Sequence, residues 1–286
     1  MNVNFRHHLR LVTAGLALLV LSSCTDSQQA DTATVCNNSV VITGYWPPTN
    51  EMLRAWSTNP AQNPGGWQGQ NWRRSGYDVY AYFPEFPPDG DPTNDAIGEP
   101  GSVGSGDLQV DYQATSRDFW RIMDQHQPRL LITTSRGGDI GWELEAVEGG
   151  HGERGEQQPA ANDWIADRFG ADHYPDADTV DPRSTDAIER YRYEKLPSQL
   201  PLQVLLKTLT PLAAELDISI AIDEATSGNY LSGFMGLHGL YYQHHHPTTK
   251  TAGHIHVGRN VDPDTARQMI EATLAEVLAH YPPAEC

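Results

Sequence analysis

Three side chains in this sequence of 286 residues have the chemistry and the positions that acyl transfer requires. Ser232 follows "ISIAIDEATSGNYL", in which a predicted buried strand leads into a tight turn and the start of a helix. His256 lies inside "AGHIHVG", and Glu143 follows "LLITTSRGGDI". A nucleophile, a base and an orienting carboxylate are the minimum set for this chemistry. We therefore predict that Ser232 attacks, His256 takes and returns the proton, and Glu143 orients the imidazole.

Each of these side chains also has a simpler interpretation. Ser232 could serve only as the N-cap of the helix that follows it, which is the commonest role of a serine at a helix start. Glu143 could be a solvated surface acid beside Glu145. His254 and His256 occur on the same predicted strand, and we expect His256 to point inward and His254 outward.

The histidines near the C-terminal end of the sequence raise the question of a metal site. Imidazoles at this density can bind zinc or nickel, and the cluster comprises His238, His244, His245, His246, His254 and His256. However, no carboxylate occurs at HExxH spacing, and "HHHPTT" falls in a predicted loop. We therefore assign no metal and no cofactor, and we expect "HHH" to be a polar loop over the mouth of a pocket. A histidine-rich metal carrier remains the third functional hypothesis.

The elements that must position these residues alternate between strands and helices. Apolar runs predict buried strands at 39–46, 77–86, 129–135, 218–224 and 252–258. Helical periodicity predicts helices at 116–128, with Ser116 as N-cap, at 201–217, after Ser232, and at 262–281, with Asp262 or Asp264 as N-cap. The alternation predicts a three-layer α/β/α sandwich around a mostly parallel central sheet. Ligands of such sheets bind at the carboxyl ends of strands, where the three candidate residues occur.

The remaining segments are less regular. Residues 49–58 could start a helix, 136–150 form a loop or a further strand, and 87–106 are a surface loop rich in proline and glycine. Residues 151–198 are predicted to be a long excursion with one or two short helices.

The first 24 residues have the organisation of a secretory signal. Arg6 and Arg10 precede the apolar run "LVTAGLALLVL", and "LSSC" ends it. This ending resembles the lipobox of bacterial lipoproteins, in which the cysteine, here Cys24, is lipidated. The alternatives are an uncleaved anchor or an ordinary signal with an incidental cysteine. We predict a signal at 1–24, a tether at 25–37 and one domain at 38–286, held by lipid to a bacterial membrane and facing the periplasm or the cell exterior.

Charge and cysteine content narrow the possible partners. A formal net charge of −18 argues against binding to nucleic acid, which requires a basic surface on the protein.

The cysteines suggest a disulfide. With Cys24 carrying lipid, Cys36 and Cys286 remain as a pair at the two ends of the domain. Because an exported protein is exposed to oxidant and the termini of domains often lie close together, we predict a disulfide between them. The alternative is two free thiols. No feature of the sequence indicates an oligomeric state.

Four motifs occur in order along the chain, and together they resemble a known family. "VVITGYWPPTN" leads to "STNP", "SRGGDIGWELE" contains Glu143, "SGNYLSG" contains Ser232, and "HIHVG" contains His256. They are similar to the signatures of the pyroglutamyl peptidase I family (pyrrolidone-carboxylate peptidases). Those signatures are Gly-Phe-Glu-Pro-Phe with a later Asn-Pro, a Gly-rich turn with Glu-Arg, Ala-Gly-x-Tyr-Leu-Cys-Asn, and Phe-Ile-His-Val-Pro. The resemblance covers about residues 38 to 281, with insertions at 61–106 and 148–195.

This resemblance implies a single α/β/α domain with a nucleophile, histidine and glutamate site. Ser232 stands where the family has its cysteine, and Leu144 where it has an arginine. Pro48 aligns with the second phenylalanine of the first motif, which in the family helps to hold the pyroglutamate ring. Gly233 aligns with an asparagine, and its N–H is a candidate for the oxyanion hole. The residues implied around the substrate are Tyr45, Trp46, Pro48, Tyr230 and Gly233.

Two functions therefore compete. The first is a pyroglutamyl peptidase-like hydrolase that cleaves an amide bond or N-terminal residue from a small peptide or pyroglutamate-like substrate. The alternative is a catalytically inactive lipoprotein that binds a ligand or peptide on the same fold. No cofactor is required by the first interpretation.

Overall fold

The computed structural model describes residues 37–86, 103–149, 194–227 and 230–285. The predicted signal, the lipidation site Cys24, most of the tether, both cysteines of the predicted disulfide, and most of the predicted loop at 87–106 and excursion at 151–198 lie outside the described residues. No described helix is long and apolar enough to cross a bilayer.

Seven strands and four α-helices make up the described domain. The strands are β1 Ser39–Thr43, β2 Asp78–Tyr82, β3 Leu130–Gly137, β4 Gly141–Gly149, β5 Lys195–Pro197, β6 Ser219–Thr226 and β7 Thr251–Gly258. The helices are α1 Tyr112–His126, α2 Leu202–Glu215, α3 Leu231–His245 and α4 Pro263–His280. Two short 3-10 helices occupy Glu51–Trp56 and Trp72–Arg74.

The strands form one mixed sheet in the order β2-β1-β3-β7-β4. Strands β1, β2, β3 and β7 run parallel. Strand β4 runs antiparallel to β7 and pairs in parallel with β6, while its last residues pair with the short antiparallel β5. The predicted segment 136–150 is therefore partly strand, and the fold class is the predicted α/β sandwich around a mostly parallel sheet.

Both faces of the sheet are buried along β1, β3 and β7, which explains their continuous apolar runs. Strand β6, predicted as a buried strand, has no fully buried residue over 219–225, because it pairs only with β4 and lies at an edge of the sheet. Successive side chains point to opposite faces, so Leu130 and Ile132 belong to one core and Leu131 to the other. The first core is closed by α2, α4 and the 3-10 helix at Glu51–Trp56. The second is closed by α1 and α3, and it is the face that carries the candidate site.

Helix α1 starts earlier than its sequence pattern indicates. Its N-cap is Asp111, whose side chain accepts a hydrogen bond from Gln113 N–H. Ser116, the predicted cap, is fully buried inside the helix, so that prediction was wrong. An aspartate is an equally good cap, and the polar stretch before Ser116 concealed the first helical turn. At α4 the first of the two predicted caps, Asp262, is confirmed, since its side chain accepts hydrogen bonds from Asp264 N–H and Thr265 N–H, and the alternative Asp264 lies inside the helix.

The two ends of the domain lie side by side. Asn38 Nδ2 donates to the carbonyl oxygen of Ala284 at 3.1 Å, and Ala284 N–H donates to Asn38 Oδ1 at 2.8 Å. Arg129 Nη2 also donates to the Pro282 carbonyl oxygen at 3.3 Å. The contact between Asn38 and Ala284 is two residues from each of the cysteines that we predict to be bonded.

Candidate active site

A buried histidine and carboxylate form a pair across β7 and β4. The His256 Nδ1–H donates to Glu145 Oε1 at 2.8 Å. His256 is 9% exposed and Glu145 is 1% exposed. None of the described residues forms a hydrogen bond with His256 Nε2, so this nitrogen remains available to a ligand. A carboxylate at Nδ1 fixes the tautomer in which Nε2 is the base.

The pKa of Glu145 reflects two opposing influences. Burial raises the pKa of its carboxyl, and the hydrogen bond from His256 lowers it. Its second oxygen, Oε2, is buried and has no hydrogen-bond partner among the described residues. An ionised Glu145 would be strongly stabilised by a positive imidazolium next to it, because opposite charges favour each other when little water is present.

The carboxylate that meets His256 is Glu145 and not Glu143, which we had expected. Glu143 is the direct register partner of His256 in the antiparallel pairing of β4 with β7, but it is partly exposed. Residues two apart on a strand share a face, so both acids lie on the His256 side of β4. Although the two acids have the same side chain, it is Glu145, the diagonal neighbour of His256, that contacts the ring, and residue spacing alone does not reveal this.

Together these three side chains form a possible cation site. One ligand atom each from Glu143, Glu145 and His256 lies within 4.8 Å of the others, and no other such group of three occurs among the described residues. Two carboxylates and an imidazole suit a divalent transition ion. The histidines at the end of α3 do not form such a group in the described part of the chain.

Ser232 lies at a pocket beside the aromatic residues that the family resemblance implied. The pocket has a volume of about 260 Å³ and is lined by Tyr45, Trp46, Ser135, Arg136, Tyr230, Leu231 and Ser232. Four of these were candidate site residues from the sequence. Pro48 and Gly233 are buried, and neither is among the described residues that line the pocket.

Strand register places His256 next to a residue that lines the Ser232 pocket. Ser135 lines the pocket, and its register partner on the adjacent strand is His256. Gly137, two residues further along β3, keeps this region open, because a Cβ there would lie 2.8 Å from His256 Cβ. His256 is therefore adjacent to a pocket-lining residue, at the carboxyl ends of β3 and β7.

Helix α3 places Ser232 in its first turn. Tyr230 occupies the N-cap position and makes no side-chain cap hydrogen bond, so Ser232 is not the cap that the alternative interpretation required. Ser232 is the second residue of the helix and is partly buried. The first N–H groups of a helix have no partner within the helix and favour negative charge. A developing oxyanion next to Ser232 would meet this favourable field.

A buried glutamate holds the segment that enters α3. Glu148 is fully buried, and it accepts hydrogen bonds from both the hydroxyl and the N–H of Ser227. Gly236 lets the helix approach this carboxylate, because a Cβ there would lie 2.6 Å from Glu148 Oε1. The sequence analysis missed Glu148, which is the third acid of β4 after Glu143 and Glu145, and no local signal distinguished it from them.

Arg136 is a second residue that the sequence analysis missed. Its guanidinium carbon lies 5.1 Å from the ring centre of Trp46, which is the geometry of a cation–π contact. Both side chains line the pocket. The pocket therefore combines aromatic walls with a positive charge, which suits a small ligand bearing a carbonyl or carboxylate oxygen.

His254 lies on the same face of β7 as His256, contrary to our expectation that it would point outward. The reason is the strand period of two, which places residues 254 and 256 together. His254 is fully buried between Thr133 and Ser135, with its Nδ1 2.8 Å from Thr133 Oγ1 and its Nε2 2.8 Å from Ser135 Oγ. Burial, together with the charge of His256, holds the pKa of His254 well below its usual value.

The other clustered histidines have structural contacts. His238 Nδ1 donates to the Phe234 carbonyl oxygen at 2.8 Å, and burial lowers its pKa to about 4. His246 stacks on Tyr242 with ring centres 3.9 Å apart. His244 and His245 are exposed residues of α3, so the predicted loop "HHH" is mostly helix.

Solved peptidase structures share this fold. A single-residue mutant of pyrrolidone carboxyl peptidase from Pyrococcus furiosus gives a TM-score of 0.54 at 14% identity, covering 85% of this chain and 99% of that chain. Pyroglutamyl peptidase I from Bacillus amyloliquefaciens gives 0.53 at 13% identity, covering 86% and 100%. No protein-family model and no curated protein matches the sequence. At these identities the similarity establishes the fold, which confirms the predicted architecture.

Proposed function

We propose that this protein is a serine hydrolase that cleaves the amide bond following a small N-terminal acyl residue. Ser232 is the nucleophile, His256 the general base and Glu145 the carboxylate that orients it. The observation that carries the proposal is the buried Glu145–His256 pair, with Nε2 available, beside the pocket that contains Ser232. A family resemblance over most of the domain supports the same reaction class.

The reaction proceeds in two steps on these groups. Ser232 Oγ attacks the carbonyl carbon while His256 Nε2 takes the hydroxyl proton, and Glu145 stabilises the imidazolium. N–H groups in the first turn of α3 stabilise the oxyanion. The C–N bond then breaks as the imidazolium returns its proton to the amine. In the second step a water attacks the ester, with His256 again removing and returning the proton.

The pocket indicates the class of the acyl group. Tyr45 and Trp46 provide flat walls, and Arg136 adds a positive charge near Trp46. A small, flat acyl residue with an additional oxygen acceptor fits this combination, and a pyroglutamate-like ring is one such group. The structures of similar fold are named as pyrrolidone carboxyl or pyroglutamyl peptidases, which makes this ring the first substrate to test.

A non-catalytic binding protein is the second candidate. The hydroxyl group of Ser232 makes no hydrogen bond to His256 or to any other described residue. An alcohol requires an aligned base to act as a nucleophile, whereas a thiol is activated more easily. A protein that binds a pyroglutamate-like ligand without cleaving it would keep the same pocket.

We also propose that the domain is exported and tethered by lipid at Cys24, with a disulfide between Cys36 and Cys286. The hydrogen bonds between Asn38 and Ala284 support the disulfide, because they hold positions two residues from each cysteine side by side. Thiol titration of the mature protein with and without reductant tests the bond, and labelling with a radioactive fatty acid tests the lipid. Two titratable thiols without reductant, or no label at Cys24, would contradict these proposals.

The main experiment measures release of a fluorophore from pyroglutamyl-aminocoumarin by wild type, Ser232→Ala and Ser232→Cys. Turnover by wild type that is lost in Ser232→Ala supports the hydrolase. Turnover only by Ser232→Cys supports the binding protein. If all three are inactive, calorimetry with pyroglutamate separates a binding protein from a pocket that does not accept this ring. No binding in that measurement overturns the pyroglutamate assignment.

A further inference from the structure

A second histidine reaches the same pocket through a chain of hydroxyl groups. His254 lies between Thr133 Oγ1 at its Nδ1 and Ser135 Oγ at its Nε2, each at 2.8 Å. All three side chains are buried, and Ser135 is the member that lines the pocket. Neither the proposed triad nor the family resemblance uses this chain of contacts.

The positions of the protons follow from counting donors. The Thr133 hydroxyl donates to the Gly253 carbonyl oxygen at 3.3 Å, and a carbonyl oxygen can only accept. With its single hydrogen on the Gly253 carbonyl oxygen, Thr133 Oγ1 accepts the bond from His254 Nδ1–H. A neutral imidazole has one N–H, so Nε2 accepts the hydrogen of the Ser135 hydroxyl. The opposite placement, with the Thr133 hydrogen on Nδ1, would reverse both bonds of the ring, and the tautomer measurement described below distinguishes the two.

The ring is neutral for a physical reason. His254 is fully buried, and its hydrogen-bond partners are hydroxyl groups rather than carboxylates. A charged imidazolium would be costly in this environment.

This arrangement leaves Ser135 with acceptor capacity only. Its hydrogen is directed at His254, and among the described residues His254 is the sole hydrogen-bond partner of Ser135 Oγ. The remaining lone pairs of the oxygen are available at the pocket. An acceptor fixed at this position favours a ligand N–H and disfavours a ligand oxygen in the same place, because two acceptors would face each other without a proton.

We propose that Ser135 is a specificity-determining hydrogen-bond acceptor for an N–H group of the acyl residue, oriented by Thr133 through His254. The inference rests on the proposed function for the identity of the acyl residue. Within that class it selects a lactam or a carboxamide and rejects the corresponding lactone or ester. Thr133 and His254 are positioning residues, since they act only through Ser135.

Calorimetric binding of two matched rings to wild type tests the selection. The probes are 5-oxopyrrolidine-2-carboxamide, which has a ring N–H, and 5-oxotetrahydrofuran-2-carboxamide, which has a ring oxygen in its place. We expect wild type to prefer the lactam by about tenfold or more, the value of one hydrogen bond with an unpaired alternative. Ser135→Ala is expected to lose most of this preference. A preference unchanged in Ser135→Ala would overturn the proposal.

Thr133 variants distinguish positioning from structural support. Thr133→Val keeps the shape but removes the acceptor for His254 Nδ1–H, so the imidazole proton is expected to move toward Nε2 and the lactam preference to fall. Thr133→Ser keeps the hydroxyl group and is expected to retain both the wild-type tautomer of His254 and the lactam preference. Nitrogen NMR of labelled histidine reports the tautomer directly, and wild-type His254 protonated at Nε2 would contradict the inference even if the protein binds both rings.

The outcome is separable from that of the proposed function. Binding does not depend on turnover, so wild type should show the lactam preference whether or not the protein is a hydrolase. Failure of Ser232→Ala to lose turnover, with the preference intact, would overturn the nucleophile assignment alone. If wild type binds neither ring, the ligand class proposed for Ser135 is wrong.

Discussion

His254 and His256 are two residues apart on one face of β7, yet their surroundings give them opposite properties. His256 has a carboxylate at Nδ1, and its Nε2 has no hydrogen-bond partner among the residues that the structure describes. His254 has hydroxyl groups at both nitrogens and is fully enclosed. The first arrangement supports a positive charge during a reaction, and the second opposes it. The comparison teaches that the partner of each ring nitrogen decides what a histidine can do.

The two histidines also differ in what they offer a substrate. His256 would exchange a proton with it, while His254 would only fix the orientation of Ser135. His256 should therefore affect the rate of the reaction, and His254 should affect which ligand is bound. Variants at each position should separate these effects.

The largest expected effect is the loss of His256. His256→Ala should reduce kcat for pyroglutamyl-aminocoumarin by at least about 10³-fold, because no other described group can move the proton of Ser232. The matched variant His254→Gln should retain kcat within about tenfold and change mainly the preference between lactam and lactone. Steady-state kinetics on both variants makes the measurement. Equal losses of kcat would remove the distinction between the two histidines.

The next effect separates the two acids beside His256. Glu145→Gln should lower kcat by about 10²- to 10³-fold, because an amide can stabilise the wrong tautomer and cannot balance an imidazolium. Glu143→Gln should change kcat by less than about threefold. The two substitutions are chemically identical and lie two residues apart, so each controls for the other. A larger loss of kcat in Glu143→Gln than in Glu145→Gln would identify Glu143 as the orienting carboxylate, as the sequence predicted.

A smaller effect is expected from metal ions. Excess zinc should inhibit turnover by occupying Glu143, Glu145 and His256, while EDTA should leave the activity of purified protein unchanged. Glu143→Gln should require at least about tenfold more zinc for the same inhibition. Activity titrated against free zinc measures both. Activity that disappears with EDTA and returns with zinc would instead identify a metal enzyme.

The smallest effect concerns stability in acid. The folded-state pKa is lowered for His238, to about 4, and for His254, while the unfolded chain has values near 6.5. Below about pH 6.5 the unfolded state therefore binds protons that the native state excludes, and stability is lost as pH falls. The folded-state pKa of Glu145 is raised, so its protonation favours the native state as pH falls and offsets part of the stability lost through the histidines.

Each fully buried histidine should contribute up to about 1.4 kcal/mol per pH unit within this window. Urea unfolding between pH 5 and pH 7 measures the slope, and His254→Gln should make it shallower. A slope that does not change in this variant would show that His254 titrates normally in the folded protein.

Much of the fold could be predicted because its signals are local. Buried parallel strands appear as apolar runs, and the amphipathic pattern of α2 and α4 marks both helices. The start of α1 was missed because Asp111 and Ser116 are both acceptable caps, and only packing decides between them. At α4 the sequence left Asp262 and Asp264 as alternative caps, and the structure selects Asp262, with Pro263 at the first helical position.

The site could be predicted only in part because its decisive contacts are between strands. Ser232, Tyr45 and Trp46 could be placed by motif, and they meet at one pocket. The choice between Glu143 and Glu145 depends on the register and reach of β4 against β7, which no local pattern contains. The acceptor at Ser135 depends on a proton count across β3 and β7, for which the sequence offers only a serine in an apolar strand.

The paired chain ends have a consequence for how the domain can be attached to a surface. Asn38 and Ala284 lie where β1 enters the sheet, whereas the pocket follows the opposite, carboxyl ends of the parallel strands. The eight-residue β3 spans about 26 Å between these two levels. A molecule held by either terminus would therefore present its pocket away from the support, toward freely diffusing ligands and not toward groups embedded in the support itself.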